Sequence, residues 1–85
     1  MPFVPIEIDV YVDLHLRNNP GTDRRETVAR LEEALAARLA GATCDCGEPI
    51  WVIGSAIAHY ACFTCITGEA VPEEDYEIAG ACRAR

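Results

Sequence analysis

At 85 residues, 51% of them hydrophobic, the chain is long enough for one small domain whose core leaves a thin margin over conformational entropy. Fourteen acidic residues against seven basic ones give a formal charge of −7, and every basic residue is an arginine. Nucleic-acid binding draws much of its affinity from Lys and Arg on phosphates, so this balance argues against DNA or RNA, and Arg24 with Arg25 do not reverse it. No run of about twenty apolar residues is present, which argues against a membrane-spanning helix.

In chain order, Ile6, Ile8, Val10, Val12, Leu14 and Leu16 alternate with Glu7, Asp9, Tyr11, Asp13, His15 and Arg17. This period of two predicts a β-strand with one wholly aliphatic face. The other face carries Asp9, Asp13 and His15, residue types that a second metal site or an acid–base pair would use. Carboxylates on a strand's solvent face more often discourage edge-to-edge pairing. Asn18-Asn19-Pro20-Gly21 predicts a turn, with proline preset for its first central position.

A helix is expected next. Asp23 and Glu26 form a capping box, Gly41 supplies the stop, and Val28, Leu31, Leu35 and Leu39 recur at three- and four-residue steps. Glu26 and Arg30 add a surface pair. The apolar stripe packs most simply on the aliphatic face of the strand, with a dimer seam as its alternative use.

Cys44, Cys46, Cys62 and Cys65 then form C-D-C, fifteen intervening residues of which Gly47 is the first, and C-F-T-C. Two close pairs of thiols a hairpin apart have metal-ligand spacing, because zinc in structural sites takes four ligands in a tetrahedron, often thiolates. Gly47 lets the chain reverse after the first pair. Between the pairs, Ile50, Trp51, Val52 and Ile53, the turn signal Gly54-Ser55, and then His59, Tyr60 and Ala61 predict a β-hairpin that carries the second pair back to the first.

Through Cys44, Cys46, Gly47, Cys62 and Cys65, this quarter of the chain resembles the zinc-ribbon and rubredoxin-like families. The resemblance implies two cysteine knuckles joined by antiparallel strands. It departs from the usual first knuckle, C-x-x-C-G, in having only Asp45 between the cysteines, and it has Ile66 where glycine is common after the second. The same four cysteines also resemble the C-x-C and C-x-x-C zinc centre of redox-regulated holdase chaperones, here with a shorter gap. That second likeness implies a switch built on zinc-bound thiolates.

Other uses of the thiols are weighed against zinc. The start of the chain shows no basic segment followed by an apolar stretch, so a reducing cytoplasm is the expected compartment, where such spacing favours metal over disulfides. Five cysteines is also an odd number. Iron on four thiolates is the alternative metal, and the shortened knuckle argues against it. His59 and Cys82 are the candidate substitutes in the site. His59 reads more simply as a half-exposed side chain. Cys82 is either a small buried hydrophobe or a thiol activated by Arg83 and Arg85.

After the second pair, Pro72-Glu73-Glu74-Asp75-Tyr76-Glu77 reads as a solvated acidic run, with Tyr76 and Ile78 spaced for a short strand. The expectation is thus one α+β domain spanning 1–85: strand, turn and one amphipathic helix over 1–41, a zinc-ribbon-like hairpin over 42–69 and an acidic segment over 70–85. No catalytic constellation is visible, since four thiolates close the coordination position that a catalytic zinc keeps open. A small zinc protein working through contacts with protein chains, its own or others, is the expected function. Trp51, Tyr60 and Phe63 are read as interface anchors on the hairpin, with Trp51 and Phe63 alternatively packing over the knuckles as the ribbon's own small core.

Overall fold

The computed structural model describes residues 3–83 and mixes five helices with a two-stranded sheet. Strand β1 (Val4–Ile6) pairs in parallel with β2 (Tyr76–Ile78), Val4 opposite Tyr76 and Ile6 opposite Ile78. The first and last strands therefore pair, and the chain from 7 to 75 forms the crossover between them. Tyr76 and Ile78 do lie in a short strand, as their spacing predicts.

The long N-terminal strand expected from the alternation is instead helix α1 (Ile8–Asn18). Its sequence satisfies both periods. On a helix, Ile8, Tyr11, Val12, His15 and Leu16 fall at i, i+3, i+4, i+7 and i+8, and all are buried or half-buried, whereas Val10 is 53% exposed. The competing strand pattern counted Tyr11 and His15 as polar, although both bring an apolar body to the stripe. Asp9 in the first turn and His15 and Arg17 in the last also suit the helix dipole.

A turn follows, in which the Thr22 N–H donates to the Asn19 carbonyl at 3.1 Å across Pro20 and Gly21. Helix α2 (Arg24–Leu39) then forms with Asp23 as its cap, the carboxylate accepting from the Glu26 N–H at 3.2 Å. Gly41, with φ 97°, follows the helix end in the left-handed region that glycine tolerates. The stripe on α2 runs through Val28, Leu31, Ala34 and Leu35, while Leu39 is 56% exposed. It packs against α1 and against α3 (Val52–Ile57), not against a strand.

Helix α3 replaces the predicted hairpin. Gly54 and Ser55, expected to form its turn, are buried inside the helix. Small residues are needed there: a Cβ on Gly54 would lie 2.5 Å from the Trp51 ring and 2.7 Å from the Ile66 side chain. The Ser55 hydroxyl donates to the Ala61 carbonyl at 3.2 Å and accepts from the Ala61 N–H at 3.3 Å, tying the following loop to the helix. Helices α4 (Phe63–Thr67) and α5 (Ala79–Arg83) complete the chain. The main core gathers Ile6, Val12, Leu31, Val52, Ile53 and Ile78, and Cys44, Ala61 and Cys62 form a second, smaller cluster with Ile66 beside it.

Candidate metal centre

The first cysteine pair sits on a tight reversal. Thr43 and Pro49 face each other in an isolated antiparallel bridge, the Cys44 N–H donates to the Glu48 carbonyl at 2.7 Å, and the Gly47 N–H donates to the Cys44 carbonyl at 2.8 Å. Gly47 adopts φ 94°, the left-handed conformation expected after Cys46. The second pair is built differently. Cys62 is the N-cap of α4 and Cys65 lies three residues on, so one helical face presents both sulfurs. The Ile66 N–H donates to the Cys62 carbonyl at 3.1 Å, continuing a helix where a ribbon knuckle would turn at glycine, and Gly68 ends that helix at φ 82°.

These two units bring Cys44, Cys46, Cys62 and Cys65 together, with all four sulfurs within 4.8 Å of one another and Cys46 Sγ 3.5 Å from Cys62 Sγ. Thiolates about 2.3 Å from a tetrahedral zinc lie about 3.8 Å apart, so the donor set and its spacing fit such an ion. Cys44 and Cys62 are buried, and Cys46 and Cys65 are exposed. No other group of three or more candidate ligands occurs among the described residues.

The electrostatics show why the cluster suits a cation. Backbone N–H groups of Cys46 and Cys62 hold the Cys44 thiol down at about 6. The neighbouring Cys44, Cys62 and Cys46 sulfurs push Cys65 up to about 12. One thiolate is thus stabilised and makes the next one costly, and a divalent ion removes that repulsion.

The remaining candidates fall elsewhere. Asp9, Asp13 and His15 lie on α1 and form no metal cluster; Asp13 pairs with Arg24 at 2.7 Å and His15 stacks on Tyr11 at 5.8 Å. His59 is exposed and outside the cysteine cluster. Cys82 is also outside it, and burial with the Glu77 charge raises its pKa more than Arg38 and Arg83 lower it. Activation by Arg83 therefore does not prevail, and Arg85 lies outside the described residues. Trp51 and Phe63 meet edge to face at 4.9 Å as internal packing, whereas Tyr60 is 45% exposed.

Glu77 carries a role that the sequence reading assigned to solvent. It is 4% exposed, and its carboxylate accepts from the backbone N–H groups of Val52 (2.9 Å), Ile53 (3.4 Å) and Ile78 (2.8 Å). It thereby fixes the start of α3 to β2. The signal was its place between Tyr76 and Ile78 in a strand, where a side chain points inward on one face or the other.

Comparison with family models, curated proteins and solved structures returned no match. The four-cysteine cluster stands on geometry, while the ribbon likeness loses its strands: the chain between the knuckles folds as α3.

Proposed function

We propose that this chain is a small zinc-binding module in which the ion is structural. The observation that carries this reading is the convergence of four cysteine sulfurs within 4.8 Å from two separate backbone turns. The second cluster around them contains little besides Cys44, Ala61, Cys62 and Ile66. Ile50, Trp51 and Phe63 are anchored by other packing, and so small a cluster buries too little to hold the two cysteine turns against each other by itself; a metal cross-link supplies what it lacks. Four thiolates leave no open position for substrate or water, so the module is read as non-catalytic. With zinc bound, four thiolates and one Zn2+ add −2, taking the chain to about −9. Its partners are then protein surfaces, met through exposed residues such as Ile57 and Tyr60 beside the metal loops, which are 58% and 45% exposed. Elemental analysis of protein expressed with zinc should give one ion per chain, and Cys44→Ser or Cys62→Ser should lose it. Metal-free protein, or undiminished zinc in both variants, would refute the reading.

A redox switch is favoured by one specific feature, the exposed Cys46 thiol 3.5 Å from Cys62. Hydrogen peroxide would take two electrons from these thiolates and two protons from solvent, giving a Cys46–Cys62 disulfide, two waters and free Zn2+. Mild peroxide should then release zinc reversibly on adding a thiol reductant. Zinc retained under oxidant that modifies ordinary surface thiols makes the ion a staple only.

A further inference from the structure

Beside the metal centre lies a cavity of about 240 Å³, between the C-terminal end of α2 and the β2–α5 segment. Three rings line it: Trp51 and Phe63 meet edge to face, and Phe3 stacks near Trp51 with centroids 6.2 Å apart and meets Phe63 edge-on at 5.5 Å. Arg38, Glu48, Thr64, Glu77 and Cys82 supply its polar wall, with Glu48 on an exposed loop at its edge. The carboxylate of Glu77 is committed to three backbone N–H groups. Among the described residues Arg38 makes no ion pair, those of the other arginines being Arg24–Asp13, Arg30–Glu26 and Arg83–Glu7. Arg38 lines the same cavity as Glu77 and Cys82, and its charge opposes the rise in pKa that burial causes in both. Cys82 is raised by its burial and stays a neutral thiol at pH 7, so it does not compete for the cation.

We infer that this cavity binds a small aromatic monocarboxylate, with its ring against Trp51, Phe3 and Phe63 and its carboxylate on Arg38. A guanidinium presents a planar fork that matches a carboxylate, and aromatic rings accept a flat partner edge-on or offset. The volume is below the roughly 300 Å³ at which drug-sized sites begin, so one ring fills it. A chain charge of −7 and the nearby Glu77 disfavour multiply charged anions. The inference rests on the proposed metal site in one respect, that Cys62 and Phe63 of the second cysteine turn line the cavity, so zinc content is measured alongside binding.

The test uses the full zinc-loaded chain, whose single tryptophan is Trp51. Benzoate, benzamide and acetate are titrated while following Trp51 emission and the indole N–H resonance. Benzoate should give a saturable change, with benzamide at least about tenfold weaker for want of the charged hydrogen bond and acetate at least about tenfold weaker for want of the buried ring. Arg38→Gln should weaken benzoate by a similar factor and leave benzamide unchanged. Equal affinity for benzoate and benzamide, equal affinity for acetate, or no saturable benzoate response in protein that keeps its zinc overturns the inference. The comparison of ligands on the unaltered chain decides the matter even where Arg38→Gln folds poorly.

Discussion

At the scale of single residues, Glu77 is the most consequential side chain outside the cysteine cluster. A carboxylate this deep is costly unless its oxygens are satisfied, and here three backbone donors satisfy them. Glu77→Ala leaves those buried N–H groups without an acceptor, and about 3 kcal/mol or more of stability should be lost in denaturant unfolding. Burial raises the Glu77 pKa above its ordinary 4.5, against the lowering by the N–H groups of Val52, Ile78 and Ile53 and by Arg38. A raised folded pKa means a contribution that is fully present below the unfolded value and is lost as pH rises through the folded one. Relative to Glu77→Gln, which does not titrate, the unaltered protein should therefore lose stability as pH is raised above 4.5. Using the difference between the two proteins cancels proton competition at the cysteines. A difference that does not vary with pH would contradict the raised pKa and show that the N–H groups and Arg38 offset the cost of burial in full.

At the scale of elements, α3, Trp51 and α4 pack closely around Gly54. Alanine in place of glycine favours a helix by about 1 kcal/mol, but overpacking costs about 1–3 kcal/mol, and a methyl 2.5 Å from the Trp51 ring is at the severe end. Gly54→Ala should thus lower the thermal midpoint and disturb Trp51 emission; a raised midpoint would contradict this packing. The same helix shows where the sequence was legible and where it was not. The α2 helix, its Asp23 cap, the Gly41 stop and the reversal at Gly47 were readable because each depends on a few neighbouring residues. The grouping of Cys44, Cys46, Cys62 and Cys65 was readable because two close pairs of thiols a short segment apart report it. Helix α1 was misread because Ile8–Leu16 fits both a two-residue and a 3.6-residue period, and only packing against α2 decides between them. Val52–Ile57 was misread for a related reason: its β-branched residues and Gly54 suggest strand and turn, while the cap from Glu77, 25 residues from Val52, makes it a helix. The internal role of Glu77 was hidden by the acidic run around it.

At the scale of the whole molecule, two units share one chain. The larger core joins α1, α2, α3, α5 and both strands through Ile6, Val12, Leu31, Val52, Ile53, Ile78 and Ala81. The cysteine unit has little apolar surface, and its two turns are joined through α3 and the four sulfurs. Binding of zinc to such a thiolate set contributes apparent free energies of about 10–16 kcal/mol at neutral pH, far beyond what that small cluster supplies. Because the thiolates must shed protons to bind, acidification should release the ion. The most direct test is to treat zinc-loaded protein with a strong chelator at neutral pH while recording zinc content and the amide spectrum together. The structural-zinc account predicts that removal of one ion per chain collapses the resonances of 43–49 and 61–67, and that returning zinc restores them. A spectrum unchanged after complete loss of the metal, or a protein that never held any, would contradict it.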